Sequence, residues 1–307
     1  DKDGIDLLKK IKKITDLVPV IMISGHANVE MAVESLKLGA YEFITKPFAT
    51  EQLLNFINRA LENIKLKREN LKLENKMFHS FDLIGESNQI LKIKKLISKL
   101  SSTDSRVLIS GPTGSGKELV ARKIHKNSNR SKNPFIVMNG ALLQSDNYEN
   151  ELFGSENKDG SVSYGFLEKA SNGTLLIDEV SEIPLDTQAK ILRVLIDQKF
   201  KRINGTKDIN VNIRIISSTS KDLKSEVTMG NFREDLYHRI NVVPIEIPKL
   251  SSRPDDIPIL INYFQKKISE INGIPEIKLN VDEELLYSYD WPGNVRELRN
   301  LVERISI

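Results

Sequence analysis

Gly111-Pro112-Thr113-Gly114-Ser115-Gly116-Lys117 contains the residue types that wrap a phosphate group. Glycines let successive backbone N–H groups curl around an anion, and a helix starting at the loop adds positive potential. Lys117 would neutralise oxygens of the β- and γ-phosphates, so the loop implies a nucleoside triphosphate. Glu118 stands where a Ser or Thr usually reaches Mg²⁺ in such loops, which leaves the metal to water and a downstream carboxylate. That carboxylate comes in Gly173-Thr174-Leu175-Leu176-Ile177-Asp178-Glu179, an apolar strand ending in two acids. Taken alone this could be a solvated strand end. Downstream of a phosphate loop, Asp178 would bind Mg²⁺ through water and Glu179 would activate water for attack on the γ-phosphate.

These groups need a parallel sheet to position them. Val107-Leu108-Ile109 predicts the strand entering the glycine loop, and Glu118–His125 the helix leaving it. Further strands are predicted at Phe135–Met138, Thr174–Ile177, Ile213–Ile216 and Val242–Ile247. A helix at Gln89–Leu100 precedes them. After Pro248 the pattern turns helical at Ile257–Ile271, Asp282–Tyr289 and from Asn294 onwards.

A smaller unit lies in front. A helix over 5–13, a strand at Val18–Ile23, a helix over 28–38 capped by Gly39 and a strand at Tyr41–Thr45 alternate as in a parallel sheet with helical crossovers. A helix from about Thr50 then carries Leu54, Ile57, Leu61, Ile64 and Leu71 on one seam, interrupted by Arg68 and Asn75. Two readings fit: a helix packed on its own domain and trailing into solvent, or a short parallel coiled coil pairing two chains.

Composition sets the bounds. The 307 residues, 39% hydrophobic and 28% charged, suffice for more than one core. Lys+Arg 45 against Asp+Glu 42 gives a net charge of +3, so bulk charge implies no nucleic-acid partner. Without cysteine there are no disulfides, thiolate zinc sites or cysteine nucleophiles, which suits a reducing cytosol. No apolar run approaches a membrane span, and Asp1-Lys2-Asp3-Gly4 is unlike a signal peptide. The expectation is a cytoplasmic protein with no membrane contact.

Several motifs in order resemble the NtrC family, the bacterial enhancer-binding AAA+ activators of sigma-54 RNA polymerase. They are Leu83-Ile84-Gly85-Glu86-Ser87, the phosphate loop through Glu118, Glu151-Leu152-Phe153-Gly154, Gly173 to Val180, Phe232-Arg233-Glu234-Asp235-Leu236-Tyr237-His238-Arg239-Ile240-Asn241-Val242, and Trp291-Pro292-Gly293-Asn294-Val295-Arg296-Glu297-Leu298. Glu118 is normal for that family. The resemblance implies that Arg233 and Arg239 are arginine fingers reaching a neighbouring subunit's γ-phosphate, a task suited to a permanently ionised, forked cation. It also implies that Arg296 is the lid arginine, and that Asn139 is a switch residue able to bond Glu179. Thr219 falls at the end of the sensing strand, but Ser220 replaces the asparagine usual there, so γ-phosphate sensing is not carried over.

The front segment resembles the second half of a two-component receiver. Ser24 matches its switch hydroxyl, Phe43 its switch aromatic, and Lys46-Pro47 its last-strand pair, with a cis Lys-Pro bond implied. Receivers carry the phosphate-accepting aspartate on a strand before the first helix seen here, so Asp1 and Asp3 are not candidates. Met22 to Ala27 and Gly39 to Ile44 are most similar to the NtrX branch of the family.

The implied fold is α/β: part of a flavodoxin-like receiver (1–62), a helical linker (63–81), an AAA+ P-loop core (82–247) and a helical lid (248–307). Phe48 should pack inward beside the receiver's last strand. Implied partners are a second copy through receiver and linker, a ring through the AAA+ domain, a cognate sensor histidine kinase, RNA polymerase, and promoter or enhancer DNA through a helix-turn-helix beyond residue 307. One departure limits the last steps. The family's Gly-Ala-Phe-Thr-Gly-Ala loop is replaced by the short polar stretch Ser155 to Tyr164, so engagement of sigma-54 is not carried over with ATP binding.

Overall fold

The structure is a computed structural model and describes residues 2–14, 19–25, 31, 35, 36, 38–51, 53–57, 59–61, 82–142, 148–156, 161–272 and 283–306. The chain divides into two compact units, Asp1–Ser80 and Phe81–Ile307.

In the first unit, helix α1 (Lys2–Ile14) buries Leu8. Strands β1 (Ile21–Ser24) and β2 (Glu42–Thr45) pair in parallel, with Met22 opposite Phe43 and Ser24 opposite Thr45. Beyond the pair, the Lys46 N–H donates to Ser24 O at 2.9 Å. The Lys46-Pro47 bond is cis, as the resemblance implied. Gly39 has φ 94° and its N–H donates to Leu36 O, which ends a helix in the left-handed conformation a glycine accepts without strain. Phe48 is half-buried. Residues 50, 51, 53–57 and 59–61 are helical. Most of the helix expected over 28–38, and the linker with Ile64, Arg68, Leu71 and Asn75, lie outside the described residues.

The second unit is built on a five-stranded parallel sheet whose strands lie in the order Val243–Glu246, Val107–Ser110, Arg214–Thr219, Thr174–Asp178 and Phe135–Asn139. Its strands are β3 (Val107–Ser110), β4 (Phe135–Asn139), β7 (Thr174–Asp178), β10 (Arg214–Thr219) and β11 (Val243–Glu246). Two short antiparallel pairs accompany it, β5 (Ser155–Glu156) with β6 (Val162–Ser163) and β8 (Lys199–Phe200) with β9 (Ile209–Asn210). Ile109, Leu175, Leu176 and Ile216 are fully enclosed because helices cover both faces, hence the near-continuous apolar strands.

On one face, α2 (Asn88–Ser101) turns Ile90, Ile93, Ile97 and Leu100 inward at helical spacing. Beside it, α3 (Lys117–Lys126) buries Val120, Ala121 and Ile124. On the other face lie α4 (Tyr148–Phe153), α5 (Phe166–Lys169), α6 (Leu185–Asp197), α7 (Leu223–Thr228) and α8 (Glu234–Ile240). Burying one Ile or Leu side chain stabilises by about 1.5–3 kcal/mol, so both helix layers contribute to holding the sheet beneath the loops.

The lid is formed by α9 (Asp256–Asn272), α10 (Glu283–Ser288) and α11 (Asn294–Ser306) around Leu250, Ile257, Leu260, Trp291, Leu298 and Val302. It is tied to the core by Asp256. That carboxylate accepts the N–H of Glu86 at 2.6 Å, the N–H of Ser87 at 2.9 Å and the Ser87 hydroxyl at 2.7 Å, and so caps α2 from a distant helix. Gly85, at φ 136°, leaves room for it, since a Cβ there would lie 2.7 Å from Asp256 Oδ2.

Candidate functional site

The glycine loop runs from the end of β3 into α3, as its spacing predicted. Gly111 has φ 152°, and a Cβ on it would lie 2.7 Å from Ile247 O. Gly116, at φ 107°, is the residue from which α3 departs. The loop backbone therefore curls in a way only glycine allows at these two points. Ser115 is buried, and its Oγ has no hydrogen-bond partner among the described residues. A buried hydroxyl left open inside a loop of backbone donors suits an oxyanion. Lys117 opens α3 with its Nζ donating to Gly111 O at 3.0 Å and lying 3.1 Å from Glu179 Oε1. Glu118 instead pairs along the helix with Arg122, 2.7 Å away.

Asp178 and Glu179 stand at the carboxyl end of β7, where parallel sheets place ligands. Asp178 Oδ1 accepts the Ser218 hydroxyl, and Oδ2 accepts Asn139 Nδ2 at 3.2 Å. This corrects the expectation for Asn139: its amide bonds Asp178, not Glu179, because β4 lies directly beside β7 with Asn139 opposite Asp178. Glu179 is in the left-handed region, φ 51° and ψ 56°. Its Oε2 accepts both the N–H and the hydroxyl of Ser220, each at 2.8 Å. Burial pushes the Glu179 carboxyl up, but the two Ser220 bonds and the Lys117 cation outweigh it and hold the group below the ordinary carboxylate range.

The donor set fits Mg²⁺. Among the described residues no cluster of three or more His, Cys, Asp or Glu could hold a metal unaided. Two adjacent carboxylates at a phosphate loop are the hard-oxygen arrangement in which Mg²⁺ keeps its waters and takes phosphate oxygens.

The lid closes directly on the loop. Asn294 Nδ2 donates to Thr113 O at 3.0 Å, while its Oδ1 accepts the Leu250 N–H at 2.9 Å. The Arg296 N–H donates to Gly114 O at 3.3 Å, leaving the exposed Arg296 side chain beside the loop. Gly114, at φ 78°, makes this approach possible, since a Cβ would fall 2.2 Å from Gly293 O.

Arg233 and Arg239 are not part of this cluster. Arg233 is the N-cap of α8, Arg239 lies near its end, and both are exposed. No hydrogen bond or ion pair joins either to Lys117, Asp178 or Glu179 among the described residues. In the first unit, Ser24 and Lys46 are brought together at the ends of β1 and β2, and Phe43 is half-buried on β2.

The stretch replacing the family's contact loop is a hairpin. Glu156 pairs with Val162 across it, and residues 157–160 lie outside the described residues. Arg202 meets Glu156 at 2.8 Å and Glu168 at 2.6 Å, and the Glu156 N–H donates to Ile203 O at 3.0 Å. Tyr164, at the hairpin base, is exposed, with its ring centroid 5.4 Å from the Arg202 guanidinium. Sequence reasoning passed over Ser218 and Asn294, and saw in Ser220 only a missing asparagine. The polar run Ser217-Ser218-Thr219-Ser220 at the end of a buried strand was the available signal.

Comparison with known proteins agrees with this layout. The sigma-54 interaction domain profile matches residues 83–246, the AAA+ ATPase lid domain 251–307, and the response regulator receiver domain 1–58. The nitrogen assimilation regulatory protein NtrX of Azorhizobium caulinodans is 46% identical over 99% of this chain and 67% of its own length. The regulatory protein AtoC of Escherichia coli is 41% identical, covering 99% of this chain and 68% of that protein. A crystal structure of NtrX from Brucella abortus has a TM-score of 0.84 at 46% identity, covering 99% of this chain and 68% of that one. Its complex with ATP has a TM-score of 0.79 at 46% identity, covering 99% and 66%. The chain thus spans about two thirds of the length of these relatives. With a receiver domain, a sigma-54 interaction domain and an AAA+ lid in this order, the chain belongs to the NtrC family of two-component response regulators.

Proposed function

We propose that this chain is the receiver-controlled ATPase portion of a transcription regulator, and that it binds ATP with Mg²⁺ and hydrolyses it in an assembled ring. The observation that carries this reading is Lys117 and Glu179 facing each other, 3.1 Å apart, between a glycine loop and the edge of a parallel sheet. Lys117 pairs with β- and γ-phosphate oxygens. Glu179 accepts the proton of the attacking water as it adds to the γ-phosphorus and the bond to the β-phosphate oxygen breaks. Asp178 would hold Mg²⁺, which when bound would supply charge neutralisation on the phosphate oxygens. Arg296 approaches from the lid. The exposed Arg233 and Arg239 act on the site of a neighbouring copy, and a sensor kinase sets assembly through the receiver. The ATP complex of the Brucella abortus relative supports nucleotide binding by this chain.

A second reading rests on the hairpin. Its anchoring by Arg202 favours a DNA-bound regulator that uses ATP to assemble and remodels nothing. A phosphate-release assay over a concentration series separates the two. Specific activity rising steeply with protein concentration supports hydrolysis with arginines supplied in trans. ATP binding without turnover at any concentration supports the second reading and overturns the first.

A further inference from the structure

We propose that Ser220 is the positioning residue for Glu179, keeping hold of one carboxylate oxygen while the triphosphate draws Lys117 from the other. The inference rests on the hydrolytic reading above and assigns a task to a residue that reading leaves unused.

Both oxygens of the Glu179 carboxylate are engaged. Oε1 faces Lys117 at 3.1 Å, and Oε2 takes two donors from Ser220 at 2.8 Å. An oxygen that faces a cation is a poor base, so Lys117 has to draw away from Oε1 before that oxygen takes a proton readily. The two differ in mobility. Lys117 holds its ammonium on a flexible stem and is attracted by the several negative charges of a triphosphate. The Ser220 N–H belongs to the backbone directly after β10, which pairs with β3 and β7 on its two sides. Thr219, just before it, is buried, and its carbonyl accepts the Gly111 N–H at 3.3 Å. Ser220 is therefore fixed to the phosphate loop and to the strand that carries Glu179.

The backbone of Glu179 points the same way. Its left-handed conformation is one that non-glycine residues rarely adopt. The Glu179 carbonyl accepts the Glu182 N–H at 3.0 Å, and Gly140 leaves space for it, since a Cβ there would come within 2.5 Å. This turn directs the side chain across to the end of β10. When ATP takes Lys117, Oε1 becomes the free acceptor on a carboxylate still held at Oε2. The water proton then passes to Oε1, water oxygen bonds to the γ-phosphorus, and ADP departs with the electron pair of the broken bond.

The test uses the whole chain, with ATP turnover and ATP affinity measured for Ser220→Ala, Ser220→Thr and Glu179→Gln. Ser220→Ala loses the hydroxyl and keeps the N–H. It should lower kcat about 10-fold, the scale of one charge-assisted hydrogen bond, with the Kd for ATP and the melting temperature unchanged. Ser220→Thr should restore kcat to within about 2-fold, since the donor is regained. Wild-type or raised kcat in Ser220→Ala, with Glu179→Gln inactive, overturns the positioning role and leaves the base intact. An equal loss of ATP affinity in Ser220→Ala assigns the serine to the pocket and also overturns it. Full turnover in Glu179→Gln removes Glu179 as the base and this inference with it, whereas no turnover in the unmodified chain removes the hydrolytic reading itself.

Discussion

Arg233 donates two parallel hydrogen bonds to Asp235, from Nε at 3.0 Å and from Nη2 at 2.7 Å, so its guanidinium is occupied at the start of its own helix. Both partners are well exposed, and such a pair is easily exchanged for another anion. A γ-phosphate presented by a neighbouring copy offers the same forked geometry with more charge.

Exchange of this kind predicts complementation between defective subunits. Arg233→Ala alone should lower turnover by roughly 10³-fold, the scale of a lost arginine finger, without changing ATP affinity. Lys117→Ala alone should also be inactive. Mixing the two should recover activity, because Lys117→Ala copies supply intact arginines to the intact sites of Arg233→Ala copies. A mixture no more active than its components means that Arg233 acts within its own subunit or not at all.

The Lys117–Glu179 pair yields a sharper contrast. Lys117→Ala removes the main cation facing the triphosphate and should abolish binding measured by nucleotide fluorescence. Glu179→Gln keeps the shape of the site and removes the acceptor, so binding should persist while hydrolysis falls roughly 10²-fold or more. Equal loss of binding in both variants makes Glu179 part of the pocket, not the base.

Much of this site was readable before any coordinates. A glycine loop after an apolar strand, and two acids ending another, specify their neighbours because parallel sheets gather strand ends at one edge. The strand beginning at Thr174 and the helix at Lys117 fall within a residue or so of their expected limits. What stayed hidden depends on which strands lie side by side. Asn139 bonds Asp178 because β4 neighbours β7, and no local pattern states that order. Ser218 and Ser220 reach Asp178 and Glu179 across the adjacent strand pair for the same reason. The Asp256 cap joins residues 169 and 170 positions apart and leaves no trace in periodicity.

That cap also predicts a stability effect away from the chemistry. Asp256 is fully buried, and Arg253 beside it is only 2% exposed, with Nε and Nη2 lacking a hydrogen-bond partner among the described residues. Burial pushes the Arg253 guanidinium pKa down, while Asp256 acts to keep it charged. Asp256→Ala removes three hydrogen bonds to the start of α2 and leaves a buried cation alone. It should destabilise the chain by about 3–5 kcal/mol, read as a lower urea midpoint. An unchanged midpoint means that water or a shifted Arg253 replaces the carboxylate.

The last prediction concerns the hairpin that stands where the resemblance to sigma-54 activators implies a contact loop. Activators of this family extend that loop with a Phe and a Thr at its tip, and Ser155 to Tyr164 contains neither. Moreover, the hairpin is fastened at its base. Arg202 holds Glu156 and Glu168 together, and its pair with Glu168 is largely shielded from water, while Glu156 is 30% exposed. Main-chain bonds run from the Ile203 N–H to Gly154 O at 2.9 Å and from the Glu156 N–H to Ile203 O at 3.0 Å. Extending the strand would break several of these contacts at once, with nothing apolar at the tip to reward it. The full-length protein should therefore hydrolyse ATP yet fail to retain sigma-54 in a pull-down with an ATP transition-state analogue. It should likewise form no open complex in purified transcription. Arg202→Ala, which releases the hairpin, should leave both results unchanged, because freedom to move does not supply the missing side chains. Stable capture of sigma-54 with promoter opening by the unmodified protein would show that this hairpin performs the contact by other residues. Capture gained only on Arg202→Ala would instead make the arginine clamp the barrier.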